Sequence, residues 1–136
     1  MSGAEFVAQA ILLMERSPLH RRWTVADLVR LIYPPTHLGQ VVVVTDARGR
    51  LAGFGTIGLF SQEAAEGYRM GVRPIQPQDW RSGDELWLVD VVAPGGAAKA
   101  VTRLVRAKAA ELGYKGKYIH FRRNYSGKLR FSRAMI

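Results

Sequence analysis

Residues 85–93 read ELWLVDVVA, and Pro94-Gly95-Gly96 follows them. Seven of the nine are apolar. So continuous a run predicts a strand buried on both faces, at the centre of a sheet. The exception is Asp90. Strand alternation puts Leu86, Leu88, Asp90 and Val92 on one face, three of them aliphatic. A carboxylate there needs a donor: an arginine, a backbone N–H or an imidazole. A buried ion pair and a His–Asp pair both remain open at this point.

The rest of the chain can be placed around that strand. Pro94-Gly95-Gly96 turns it into a helix over residues 97–112, ended by Gly113. Residues 40–46 (QVVVVTD) and 51–60 (LAGFGTIGLF) flank the turn Asp46-Ala47-Arg48-Gly49 and predict a β-hairpin. Gly53, Gly55 and Gly58 mark a bulge or a close approach by another backbone or ligand. Residues 118–123 and 128–133 flank Asn124-Tyr125-Ser126-Gly127 as a second hairpin of alternating basic and apolar residues. Residues 4–16 have helical periodicity, ended by Ser17-Pro18. Thr24 and Asp27 form a capping-box variant for a helix that Pro34-Pro35 stops. Residues 61–70 predict a short helix and 71–84 a loop. The order is ααββαβαββ. It predicts an α+β fold: a mostly antiparallel sheet with a hairpin at each end, flanked by helices, in one domain over residues 1–136.

Composition narrows the function classes. With 136 residues, 48% of them hydrophobic, and three tryptophans, the chain can build a core. It has no cysteine, which excludes disulfides, thiolate metal sites and a cysteine nucleophile. No apolar run approaches the roughly 18–20 residues that span a bilayer. Glu5 precedes the first apolar stretch and no basic n-region is present, so no signal peptide is expected and the expected compartment is the cytoplasm. Charge is uneven. Residues 99–136 hold eleven Lys/Arg and one acid, Glu111, whereas residues 1–98 hold nine Lys/Arg and ten acids. A basic C-terminal third suits a polyanion or an acidic protein, or simply a solvated surface.

Among the titratable residues, His20 stands out. It lies in Ser17-Pro18-Leu19-His20-Arg21-Arg22-Trp23, on a short connection between two helices, where catalytic groups concentrate. Its ordinary pKa of about 6.5 suits proton transfer. It also reads as a structural histidine packed by Trp23. His37 falls in a loop. His120 alternates with Tyr118 and Arg122 on a strand and is expected to face solvent or an interface. The histidine spacing predicts no zinc site. Ser17 and Ser82 lie in loops without a Gly-x-Ser-x-Gly elbow. Pro94-Gly95-Gly96 is neither a Walker loop nor Gly-x-Gly-x-x-Gly. Its glycines and the following helix N-terminus suit an anion or a thioester-bearing arm, or a plain strand-to-helix turn. Tyr118, Phe121, Tyr125 and Phe131 among the arginines suit base stacking, but no nucleic-acid-binding signature accompanies them.

Three blocks together resemble a known family. Residues 17–23, Asp79-Trp80-Arg81-Ser82-Gly83-Asp84, and the run from Trp87 to Gly96 are similar, in order and spacing, to the RTX toxin-activating lysine acyltransferases. The resemblance runs from about residue 6 to Gly96 and thins beyond it. It implies a fold similar to the Gcn5-related N-acetyltransferases. It implies transfer of a fatty acyl chain from acyl carrier protein to internal lysines of an RTX-type protoxin, in the cytoplasm, by a homodimer. No tightly bound cofactor is implied; the donor is the phosphopantetheine thioester of the acyl carrier protein. The family's essential histidine falls on His20, its essential aspartate on Asp90, and a serine of less consistent importance on Ser17.

Residue chemistry and resemblance fit one mechanism. His20 acts as general base on the acceptor lysine and Asp90 orients the imidazole. Ala93, Gly95 and Gly96 are expected to contact the acyl donor through backbone N–H groups. Arg103 and Arg106 belong to a basic patch expected to steer an acidic carrier protein. An acyl-CoA-dependent N-acyltransferase acting on a small amine, and a non-catalytic nucleic-acid-binding module, are the competing classes.

Overall fold

The computed structural model describes residues 1–125 and 128–136. Five strands lie in sequence order: β1 (Val41–Thr45), β2 (Leu51–Phe60), β3 (Glu85–Val92), β4 (Tyr118–Tyr125) and β5 (Lys128–Met135). β3 is central, as its apolar run requires. All neighbours are antiparallel except β3 and β4, whose parallel register consists of Trp87↔His120 and Leu88↔Phe121. Helix α5 (Ala98–Glu111) makes the crossover between them. The second hairpin runs in register from Tyr118↔Met135 to Tyr125↔Lys128. Its expected turn residues Ser126 and Gly127 lie outside the described residues.

Strand β2 alternates from Gly53 onward, past a register shift that puts Leu51 on the side of Phe54. Ile57 and Leu59 face α5, whereas Phe54 and Phe60 face the helices on the other side. Gly53 and Gly55 let α5 lie close on the sheet: a Cβ on either would sit 3.0 and 3.1 Å from the Val101 side chain. This is the close approach the glycine-rich strand announces.

Strand β3 departs from the expected alternation. Its register steps from Thr56↔Asp90 to Ile57↔Leu88, which leaves Val89 as a β-bulge. One extra residue inverts the parity. Leu86 and Leu88 therefore share the α5 side with Val91, while Val92 joins Phe6 and Phe54 on the opposite side. The predicted common face of Leu86, Leu88, Asp90 and Val92 does not exist.

A second correction concerns Pro34-Pro35. Helix α2 (Val25–Leu31) ends before them, and they begin a further short helix, α3 (Tyr33–His37). A first helical turn needs no N–H from its residues, so proline is well placed there. His37 thus closes a helix instead of lying in a loop, with its ring stacked on Tyr33 at 5.9 Å. The remaining helices, α1 (Gly3–Glu15) and α4 (Gln62–Met70), lie where the sequence puts them. The Thr24–Asp27 capping box is formed, with both hydrogen bonds in place at 3.1 and 2.8 Å. Among the described residues, no helix is long and apolar enough to cross a membrane.

Candidate active site

Helix α1 stops at Glu15, and the chain turns at Ser17-Pro18. The Ser17 carbonyl accepts the N–H groups of both His20 and Arg21, at 3.0 and 2.9 Å. This tight turn brings Ser17 Oγ within 2.7 Å of His20 Nδ1. The imidazole is 4% exposed and tilts against Trp23, ring centres 4.9 Å apart. Its other nitrogen, Nε2, lies 3.2 Å from Asp90 Oδ1. Ser17, His20 and Asp90 therefore form one hydrogen-bonded line, and the partner of the strand carboxylate is the imidazole.

The bulge presents that carboxylate. The Asp90 N–H donates to Thr56 Oγ1 at 3.2 Å, and Thr56 is fully buried. A side-chain acceptor thus takes an N–H at the point where the strand register shifts. Neither Thr56 nor Val89 carried a signal in the sequence, because a bulge depends on how two strands pair.

The block from Asp79 to Asp84 stands apart from this line and holds the framework. Asp79 is buried and accepts from Arg73 Nη2 at 2.7 Å and from the Gln76 N–H at 2.8 Å. Trp80 Nε1 donates to the Arg30 carbonyl at 2.8 Å. Ser82 Oγ donates to the Asp79 carbonyl and accepts the Ser61 N–H. At Gly83 a Cβ would lie 2.6 Å from the Phe60 carbonyl oxygen, so the backbone admits only glycine there. The block locks the end of β2 against the start of β3.

A cavity of about 470 Å³ opens beside β3 and β4. Leu88, Val91, Val105, Ile119 and Leu129 give it apolar walls, and His20 and Asp90 reach it. Arg106, Arg122 and Arg123 also line it, with Arg106 donating to the Met135 carbonyl at 2.9 Å. Of the residues expected to contact a donor, Arg106 is here. Ala93, Gly95, Gly96 and Arg103 are not among the lining. The Gly96 N–H returns to the Ala93 carbonyl at 3.3 Å, and Gly96 takes φ 93°. That is the geometry of a strand-to-helix turn, with Gly95 facing Arg16. A second cavity, of about 480 Å³, lies on the α2 and α4 side and shares Val89, Asp90, Arg122 and Leu129 with the first.

Tyr68, which the sequence left unremarked, lines the second cavity. Burial pushes its hydroxyl pKa up, the Arg122 charge opposes this, and the Asp90 charge reinforces it. His120, expected to face solvent or an interface, is half-buried. It stacks on Trp87 at 5.5 Å, with Nδ1 3.3 Å from Arg69 Nη2. Burial holds its pKa below the ordinary histidine value; Glu85 opposes the shift, and Arg69 and Arg133 add to it. The aromatic rings of the basic hairpin are partly covered by the chain's own guanidinium groups. Arg123 lies over Phe121 at 5.2 Å and Arg133 over Tyr118 at 4.1 Å. The ring of Tyr125 lies outside what the structure describes.

Comparison with known proteins places this geometry in context. The family model described as HlyC, RTX toxin acyltransferase family, matches residues 2–130. Lysine-acyltransferase RtxC of Vibrio cholerae serotype O1 is 33% identical over 104 residues, covering 76% of this chain and 68% of that protein. Protein-lysine myristoyltransferase HlyC of Escherichia coli is 31% identical over 104 residues, covering 76% and 59%. RTX-II toxin-activating lysine-acyltransferase ApxIIC of Actinobacillus pleuropneumoniae is 24% identical over 102 residues, covering 75% and 63%. The chain thus spans about three fifths of the length of HlyC and ApxIIC.

Proposed function

The chain belongs to the RTX toxin acyltransferase family, and from that premise we propose that it acylates internal lysines of an RTX-type protoxin. The donor in this reading is a fatty acyl thioester on acyl carrier protein, and the reaction takes place in the cytoplasm. The observation that carries the proposal is the hydrogen-bonded line Ser17–His20–Asp90, whose His20 and Asp90 line a largely apolar cavity. A fold similar to the Gcn5-related N-acetyltransferases is part of the same reading. The short parallel register of β3 with β4 beside that cavity supports it.

The chemistry follows from the two ring nitrogens. With Nε2–H donating to Asp90, Nδ1 is the basic nitrogen and accepts the Ser17 hydroxyl hydrogen. His20 therefore acts on the substrate through Ser17. The lysine ammonium gives a proton to Ser17 Oγ while Ser17 passes its own to Nδ1. The resulting imidazolium is stabilised by the Asp90 carboxylate. The neutral amine attacks the thioester carbonyl, and the C–S bond breaks as the amide forms. The thiolate leaves and takes the proton of the imidazolium, and the neutral imidazole then accepts, through Ser17, the second proton that the nitrogen loses as the amide forms and releases it to solvent. The lack of cysteine favours this direct transfer over an acyl-enzyme.

Arg106, Arg122 and Arg123 at the cavity would steer an acidic carrier protein, so turnover is expected to fall with salt. The family resemblance adds an expected homodimer, checked by light scattering.

The test is a transfer assay with acyl carrier protein and acyl-coenzyme A offered together to a lysine-bearing toxin fragment. Acyl-carrier-dependent amide formation is expected. Transfer from coenzyme A alone overturns the donor assignment. Intact mass after incubation with donor alone separates the routes, because a stable acyl adduct on Ser17 overturns direct transfer.

A further inference from the structure

We propose that the second cavity is the port through which the acceptor enters: a polypeptide segment whose lysine is flanked by carboxylates, one of them bound by Arg73. The proposal rests on the acyltransferase reading above. A transfer reaction joins two substrates at one carbon, and two cavities converge here. The first opens on the α5 side and the second on the side of α2 and α4, yet both reach Val89 and Asp90. Asp90, which holds the His20–Ser17 relay through the far side of the ring, thus borders both the cavity for the acyl chain and the one for the acceptor.

The two linings differ in chemistry. The first offers aliphatic walls suited to a fatty chain. The second carries Arg30, Arg69, Arg73 and Arg122 beside Trp23 and Tyr68. Arg30 and Arg69 are committed to Asp27 and Glu85. Arg73 is committed only in part. Its Nη2 donates to Asp79 at 2.7 Å, but its Nη1 is buried and, among the described residues, has no hydrogen-bond partner. A buried donor without an acceptor calls for one, and a carboxylate matches a guanidinium best.

The same charges assist the chemistry. Cationic neighbours disfavour a second cation, so a lysine entering this cavity releases its proton more readily than in water. Asp90 is the only acid among the described lining residues, and it is engaged by His20. The port therefore admits the amine as a nucleophile and reads acidity in the flanking chain.

The test uses the full chain carrying His20→Ala, which binds without turnover. Labelled heptapeptides with a central lysine flanked by two glutamates or by two glutamines are titrated by fluorescence anisotropy. The glutamate peptide is expected to bind about tenfold tighter, as a charge-assisted hydrogen bond implies. Adding Arg73→Lys, which retains a cation for Asp79 but lacks the second terminal nitrogen of the guanidinium fork, is expected to abolish that difference. Met70 is 72% exposed at the cavity rim, so Met70→Trp tests the site without touching the core. It is expected to weaken both peptides and leave the binding of acyl carrier protein unchanged. Equal affinity for the two peptides overturns the proposal. So does weakened carrier-protein binding in the Arg73 and Met70 variants with the peptides unaffected, which would assign the cavity to the donor's phosphate. Charge-dependent peptide binding by this variant, together with a wild-type chain that transfers no acyl group, would overturn the catalytic reading and leave the port standing.

Discussion

His20 and Asp90 are 70 residues apart in the chain, and His20 Nε2 lies 3.2 Å from Asp90 Oδ1. The contact joins a turn between two helices to the central strand of the sheet. The imidazole is fixed at both nitrogens, because Ser17 holds the other one.

In the proposed mechanism the charge of Asp90 is expected to matter more than its hydrogen bond. Asp90→Asn retains a polar partner for Nε2 but cannot stabilise the imidazolium. Transfer is expected to fall by about 10²–10⁴-fold, with acceptor KM little changed. Single-turnover rates measure this. A rate within twofold of the wild type would remove Asp90 from the mechanism.

Thr56 is expected to act on Asp90 through the backbone. Thr56→Val conserves shape and strands the Asp90 N–H, so stability should drop by about 1–3 kcal/mol. Urea unfolding gives the number. An unchanged midpoint would mean that the bulge does not depend on this hydroxyl.

Two glycines should respond in opposite ways. A Cβ at Gly83 meets the Phe60 backbone at 2.6 Å, so Gly83→Ala is expected to destabilise by about 1–3 kcal/mol. A Cβ at Gly95 meets nothing nearer than Arg16 Nη2 at 3.6 Å, so Gly95→Ala should stay within about 0.5 kcal/mol. Thermal melts of the pair check both. A large loss of transfer in Gly95→Ala would restore the backbone of that turn to the donor site.

His120 should make the fold sensitive to mild acid. Its folded pKa lies below the ordinary 6.5, chiefly through burial. The unfolded chain therefore takes up the proton first, and protonation favours unfolding. The contribution is complete above pH 6.5 and is lost as pH falls through the lower folded value. His120→Gln should flatten the stability profile between about pH 7 and 5. An identical profile for both proteins would contradict this.

Local chemistry explains what the sequence made legible. Runs of β-branched residues, the Thr24 cap, the Gly-rich second strand and the Ser17-Pro18 break act over a few neighbours, and each element formed near where its residues predicted it. The central place of residues 85–92 followed from their apolar run, and the three motif blocks pointed to the family and to His20, Asp90 and Ser17. Pairing decided the rest. Val89 bulges because of the way β3 meets β2, and no period within ELWLVDVVA announces it. Alternation alone would have turned Asp90 toward Leu86 and Leu88. The choice of an imidazole over an arginine as its partner, the order Asp90–His20–Ser17 across the ring, and the convergence of two cavities on one carboxylate depend on contacts between distant segments. Such contacts exist only once the sheet is assembled, so periodicity and spacing along the chain carry no record of them.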